Sequence, residues 1–510
     1  MDIFDLLGSS PYFVKQALST GASVSLIATA LILSCAAVSS TYNVLAHPLR
    51  PKLFAASRIP YSLMVLSGQS HKRILALHLK YGRIVRIAPD ELSFLDEAAW
   101  EDIMGHRKRG EGENGKDPEF FKTISHSVIA SGREDHSRMR RILSHGFSTR
   151  SMLDQQPLIT QYVDLLLLRL QQNCQDGTAT VDMTAWYNWT TFDIIGDLAF
   201  GEPFGCLETT SYHPWVQLIF ERIRGASRNV MMRKHRWLSP LLQRLFITAE
   251  AKERFMGHLK ITKEKVAQRL EYKGQRHDFM ESMIRKDGNS VLSMPEIVDN
   301  ASILIIAGSE TTATALSAAT YFLGSSPDAL HRITEEIRSS FSSEDEINLL
   351  SVQRLEFMQA VINETLRLYP PVPTSIPRII QPGGDSICGR YVPEGTTVGI
   401  WQWALYHNPN TFTDPETFQP DRWLQDSSMP DEARKTFQPF HVGPRNCIGK
   451  NLAYAEMRLI LARILWSFDL RLADDCVHWV DRSETYSLWK KPALPVHLTP
   501  RKMTSPSGRS

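Results

Sequence analysis

The sequence predicts a mainly α-helical fold with a small β portion, carried behind one N-terminal transmembrane helix. Three observations predict it. Apolar residues recur at helical spacing over most of residues 156–468, β-branched alternation is confined to a few short runs, and no charged side chain occurs between Lys15 and His47. The 510 residues, 43% hydrophobic and 22% charged, supply ample material for a large core. Length alone suggests about three domains of roughly 150 residues. No Gly/Ser-rich linker, low-complexity stretch or internal repeat divides the body, so a single large unit is expected.

The N-terminal segment is most apolar at Ala22–Val38, long enough to cross a bilayer core of about 20 helical residues. Asp2, Asp5 and Lys15 precede it, unlike the basic start of a signal peptide, and Arg50, Lys52 and Arg58 follow it. The positive flank places the body on the cytosolic side. The expected organisation is a short lumenal N-terminus at 1–21, an anchor at 22–42, a proline-containing neck at 43–60, the body at 61–500 and a disordered tail at 501–510. The sequons at Asn188, Asn300 and Asn363 then never meet the glycosylation machinery and are read as chance.

Within the body, Arg83–Ile87 alternates as a strand, Pro89-Asp90 turns, and Leu92–Leu95 can return as its partner. Helices are expected at Gln156–Leu170, Pro214–Arg224, Thr248–Leu270, Pro295–Leu323, Asp328–Phe341, Leu355–Tyr369 and Asn451–Phe468. Short apolar pairs at Ile387–Val392, Thr397–Ile400 and Leu494–Leu498 suggest a small sheet. A balance of 57 basic against 55 acidic side chains gives no case for nucleic acid. Six scattered cysteines without a C-x-x-C pair speak against a disulfide framework or a structural zinc.

The strongest chemical signal is Phe440-His-Val-Gly443-Pro-Arg445-Asn-Cys447-Ile-Gly449 before a helix, a match to F-x-x-G-x-R-x-C-x-G. A reactive thiolate needs nearby positive charge, a helix N-terminus or a metal. Arg445 and the following helix are expected to supply the first two, while Gly443 and Gly449 let the backbone turn and bring amides to the sulfur. A second signal is Ala307-Gly308-Ser-Glu310-Thr311-Thr312 in a long buried helix of about 45 Å. It opens on the capping box Ser293-x-x-Glu296. Gly308 removes a side chain where something flat could lie close, and a mid-helix Thr311 can instead simply bond its own i−4 carbonyl. The third signal, Glu364-x-x-Arg367, is weak alone but is followed by Leu368-Tyr-Pro-Pro-Val-Pro373 and then Cys447.

These motifs together resemble the cytochrome P450 family, across the whole body. The resemblance implies the family's fold, a triangular helical haem-binding domain plus a small β-sheet subdomain at 61–500, and the cofactor haem b (iron protoporphyrin IX) with Cys447 as axial iron ligand. It implies that Glu310 and Thr311 form an acid–alcohol pair delivering protons to dioxygen at the haem. Glu364, Arg367 and Arg422, the last in Phe418-Gln-Pro-Asp421-Arg-Trp423, then form a structural group in which Asp421 replaces the family's usual Glu. The family's donors to the haem carboxylates map onto Arg140, Arg378 and Arg445, with His136 standing where the pattern W-x-x-x-R has Trp.

The resemblance further implies a membrane-bound monooxygenase of the endoplasmic reticulum. It would take NADPH-derived electrons from NADPH–cytochrome P450 reductase, with cytochrome b5 as a further candidate donor, and would oxidise a lipophilic small molecule. Substrate-facing positions are expected at Phe120–Ala130, Ile303–Ala307, Thr374–Ile376 and Tyr486–Trp489. Arg138, Arg141, Arg434, Lys435 and Lys450 flank the expected thiolate side, as reductase contacts or as scattered surface charge. The style of the chain resembles fungal microsomal members acting on terpenoid or polyketide metabolites. A haem-thiolate isomerase or dehydratase and a non-catalytic haem sensor or carrier stay open at this level, with the Glu310/Thr311 pair counting against both.

Overall fold

A buried helix needs apolar residues on every face, and one such helix organises this chain. The structure is a computed structural model that describes residues 51–502 apart from 109–110, 273–275, 277 and 285–291, together with Ser34 and Thr41, and the backbone alone at 220–224. The expected N-terminus at 1–21, nearly all of the anchor at 22–42, the start of the neck and residues 503–510 lie outside the described residues.

The long helices are α1 (Ser70–Tyr81), α2 (Arg133–Ser144), α3 (Thr149–Asn173), α4 (Met183–Phe200), α5 (Pro214–Lys234), α6 (Ala249–Glu271), α7 (Met294–Gly324), α8 (Pro327–Ser340), α9 (Glu356–Leu368) and α10 (Lys450–Ser467). The central α7 starts on the expected capping box, the Ser293 amide donating to Glu296 at 2.7 Å with Pro295 in the first turn. Among the described residues it is the one helix long and apolar enough to cross a membrane, but it is mostly buried inside the protein.

Several helices differ from expectation: the one expected at Pro214–Arg224 runs on to Lys234 as α5, and α1 and α2 were not expected. The segment expected from Gln156 begins at Thr149, because Ser148 caps it by accepting from the Ser151 amide, and Pro157 is tolerated inside. Helix α4 was not legible at all. Nearly every one of its residues is buried, so no polar face interrupts the apolar one, and it packs chiefly against α7.

The strands are β1 (Ile84–Ala88), β2 (Glu91–Phe94), β3 (Gly115–Lys116), β4 (Thr180–Asp182), β5 (Arg378–Ile379), β6 (Asp385–Ile387), β7 (Arg390–Val392), β8 (Thr397–Ile400), β9 (Phe468–Leu472), β10 (Glu484–Thr485), β11 (Trp489–Lys490) and β12 (Pro495–Pro500). The expected β1–β2 pair forms, antiparallel with Ile84 opposite Phe94. It belongs to a five-stranded sheet of order β1-β2-β8-β5-β3, accompanied by β4-β12-β9 and two hairpins. Strands as short as β3 and β5 carry no readable period, and their pairing sets Lys116 opposite Arg378.

The structural group expected around Glu364 is present and closed. Arg367 donates to both carboxylate oxygens of Glu364, at 2.9 and 2.8 Å, and Arg422 adds a third bond at 3.2 Å. The Trp423 indole and the Gln419 amide complete the carboxylate, and the remaining Arg367 donors reach the carbonyls of Tyr406, Pro415 and Thr417. Asp421, the departure from the family pattern, pairs outward with Arg332 at 2.6 Å.

Candidate functional site

Cys447 sits where a short 3-10 turn, Gly443–Arg445, hands over to α10. Its amide donates to the Phe440 carbonyl at 2.9 Å, and the Phe440 ring packs on Tyr454. Gly443 has φ +74°, and a Cβ there would stand 2.0 Å from the Met104 carbonyl, so only glycine lets this loop approach the helix Ala98–Met104. Gly449 meets the expectation only in part. Its φ is −87° and a Cβ would meet nothing closer than 3.7 Å, so its part is the amide it offers to the sulfur.

Cys447 is exposed, whereas Cys174, Cys206 and Cys476 are buried and Cys388 is half-buried. The sulfur is open on one side and crowded by protein elsewhere. The crowding pushes its thiol up, and the Gly449 amide, Arg140 and Lys450 pull it back only in part. The expected lowering by Arg445 is therefore corrected: that side chain turns to Glu113 at 2.5 Å and to the Ser131 carbonyl at 2.8 Å. A coordinating metal ion removes the proton outright.

The second open surface lies on α7. In the midst of buried neighbours Ala307 is exposed, and Ile303, Ile306, Gly308 and Thr311 are half-buried. Such a stripe on a core helix requires a cleft beside it. The Thr311 hydroxyl faces this side and donates to the Ala307 carbonyl at 2.6 Å. Glu310 does not join it. Consecutive helical side chains leave about 100° apart, and the Glu310 carboxylate is buried in contact with the Lys491 ammonium. Gly308 is also corrected. A Cβ there would lie 2.6 Å from Ile195 Cδ1 of α4, so the glycine makes room for helix packing rather than for a flat ligand. The segment 127–131 joins the two surfaces, the Val128 amide donating to Asn300 of α7 at 2.9 Å and Ser131 receiving Arg445.

Beside the Cys447 loop the sheet and loops gather cations. Lys116 and Arg378 stand opposite each other in an antiparallel pair, where like charges repel. Arg445, Arg140 and the neutral His136 and His441 complete the group, and the acid facing it is Glu113, already bonded to Arg445. Burial lowers Lys116 well below the usual lysine range, with Arg378 and Arg445 adding to it, and lowers Arg378 to about 10. Burial lowers His136 to about 4, helped by Arg445, Arg140 and Lys116. The Nε of Arg378, the Nε of Arg445 and Nε2 of His441 are buried without hydrogen-bond partners among the described residues. Arg140 spends two donors on Asn446, at 2.7 and 2.5 Å, which holds it against the Cys447 loop. Buried, unpaired cations are costly unless anions meet them. The group calls for anionic partners beside an open cysteine sulfur.

The sequence model of the family Cytochrome P450 matches residues 56–496. A trichothecene C-15 hydroxylase of Fusarium sporotrichioides is 44% identical over 467 residues, covering 90% of this chain and 95% of that protein. The cytochrome P450 monooxygenase tpeC of Talaromyces stipitatus is 44% identical over 490 residues, covering 94% and 95%. The chain belongs to the cytochrome P450 family. It is a monooxygenase, an oxidoreductase like these relatives, and an averantin hydroxylase of Dothistroma septosporum, 42% identical over 475 residues and covering 90% and 88%, stands in the same set. The family implies haem, whose two carboxylates, apolar macrocycle and iron match the demands of the cation group, the apolar α7 stripe and the Cys447 sulfur of this P450.

Two residues of the group escaped the sequence reading. Lys116 carries no motif, and only its register against Arg378 discloses it. His441 fills an unspecified position between Phe440 and Gly443. Of the expected lining, Trp489 belongs to the core instead, stacked on Tyr369 with its indole donating to the Pro370 carbonyl. Tyr486 is buried as well, and Thr374 is tied to the Ser487 carbonyl at 3.2 Å. Ser375, Ile376, Ser487 and Leu488 remain half-open beside them.

Proposed function

We propose that this P450 is a membrane-anchored haem-thiolate monooxygenase that hydroxylates a lipophilic small molecule of secondary metabolism, of terpenoid or polyketide type. Cys447 would ligate the haem iron, and Arg378, Arg445, Arg140, Lys116 and the imidazole of His136 would hold the haem carboxylates. The observation that carries this reading is the excess of buried cations with orphaned donors beside an open sulfur. When bound, haem with a thiolate ligand supplies reductive cleavage of dioxygen. The chain's own part is to bind, exclude water and move protons. Thr311, held on the Ala307 carbonyl, presents its hydroxyl to the cleft, and Glu310 resupplies it. The trichothecene and averantin named in the relatives support a substrate of secondary metabolism, and the apolar Ile303 and Ile306 support a lipophilic one.

Electrons come from NADPH through a reductase, with cytochrome b5 as an alternative donor. Arg141, Arg434, Lys435 and Lys450 are exposed and supply a basic docking face, whereas Arg138 is engaged by Asp135 and Glu296. The anchor at 22–42 places the body at the endoplasmic reticulum. Exposed Ile59 and Leu63 on the helix Ile59–Leu66, and Trp237, Leu241 and Leu245 near the helix Ser239–Phe246, support a membrane-facing surface. Ser62 and His235, bonded at 2.9 Å, join those two regions.

The test is the carbon monoxide spectrum of the reduced protein, followed by turnover with reductase, NADPH and labelled dioxygen. A Soret band at the haem-thiolate position and one labelled oxygen atom per product are expected. A band at the imidazole position sinks the ligand assignment, and product formed without reductase returns the isomerase reading.

A further inference from the structure

The acid beside Thr311 has an unusual partner. Along β11 and the next residue the chain alternates: Trp489 is buried, Lys490 is exposed and paired with Glu484 at 3.1 Å, and Lys491 turns inward. Its ammonium reaches Oε1 of Glu310, both side chains being 2% exposed, and donates at 2.8 Å to the Thr314 hydroxyl one turn along α7. Thr314 in turn lies 3.5 Å from the same Oε1. The other oxygen, Oε2, is buried and has no partner among the described residues. The carboxylate is thus held by one oxygen and free at the other.

We propose that Lys491 is a positioning residue for proton delivery: with Thr314 it clamps Oε1 of Glu310 and leaves Oε2 as the free acceptor of the relay toward Thr311. The inference rests on the reading that Glu310 and Thr311 supply protons. A proton arriving on Oε2 neutralises the carboxylate while Lys491 stays an ammonium, and its transfer toward the Thr311 hydroxyl regenerates the carboxylate. The groups facing Glu310 from the packed elements are Lys491, Tyr212 ahead of α5 and Tyr369 after α9. Burial raises both tyrosines above their ordinary range, so they stay neutral. Burial likewise pushes the Glu310 carboxyl up, and Lys491 followed by Thr314 pulls it back. Removing Lys491 leaves the burial effect unopposed, so Glu310 then holds its proton to higher pH.

The test uses the holoenzyme carrying K491M, K491R, E310Q and the pair K491M/E310Q. In K491M the product-to-peroxide ratio falls roughly ten-fold or more, as for loss of a bond to a charged group, and its pH profile moves upward. Infrared spectra of the resting K491M protein show a protonated-carboxyl stretch that is stronger than in wild type and absent from K491M/E310Q. K491R restores ratio, profile and spectrum. A K491M protein with the wild-type ratio, profile and infrared spectrum overturns the proposal. If K491M yields no haem protein, K491M/E310Q decides: recovery of the haem-thiolate band supports the pair, and no recovery overturns it. Thr311→Ala serves as the control on the underlying reading. Tight coupling in that variant refutes proton delivery itself, whereas peroxide release in it beside an unaffected K491M refutes the role of Lys491 alone.

Discussion

Of the buried clusters of arginine and carboxylate in this fold, two are built to opposite rules. At Glu364 every oxygen and nearly every guanidinium donor has a partner within the chain. At Lys116, Arg378 and Arg445 the cations outnumber the facing acid, Glu113, and two guanidinium nitrogens lack partners among the described residues. The first is a finished structural joint. The second is unfinished by protein alone, and the charge it lacks is the charge of a ligand. Residue type does not separate the two; satisfaction does.

That contrast gives predictions of opposite sign. The largest effect is expected at the closed cluster. Glu364→Ala strands Arg367 in the core, costs about 3–5 kcal/mol and yields little haem protein, as read by thermal unfolding and the carbon monoxide band. At the open cluster, Arg378→Met lowers haem affinity by roughly ten- to a hundred-fold, the worth of a bond between charged groups, while the haem-free chain unfolds no more easily than wild type. Haem titration and unfolding of the stripped protein check both halves. Equal destabilisation of the haem-free chain by the two variants would erase the distinction.

Gly308→Ala sharpens the same boundary on α7. Overpacking against Ile195 costs about 1–3 kcal/mol, and Ile195→Val in the same chain recovers part of it while haem affinity holds. The smallest effect concerns pH. His136 is lowered from 6.5 to about 4 in the folded, haem-free chain, so the unfolded chain binds the extra proton between those values. Stability is complete above pH 6.5 and falls toward pH 4, by up to about 3 kcal/mol. His136→Gln flattens that part of the slope, and haem carboxylates beside the imidazole flatten it in the holoenzyme.

The contrast also explains what could be read from the sequence. Helices with one polar face, such as α8 and α9, and the capped start of α7 were legible within a residue or two, because period and cap residues act locally. Helix α4 was not, since burial on all faces leaves no period. The sequence-local motifs around Cys447 and Glu364 named their residues, but motif membership did not say where side chains point. Arg445 turns to Glu113, Glu310 to Lys491, and Gly308 to Ile195, each through a partner distant in the chain. Lys116 depended on a two-residue strand pairing that no propensity announces.

The central claim is that the unbalanced cations and the open sulfur form one haem site. The most direct measurement is a haem titration of Lys116→Met/Arg378→Met, read out by the carbon monoxide spectrum of the reduced complex. The account predicts affinity at least a hundred-fold weaker than wild type, as two charged partners are lost, with whatever haem binds still showing the haem-thiolate band from Cys447. Unchanged affinity, or a band at the imidazole position, would contradict it.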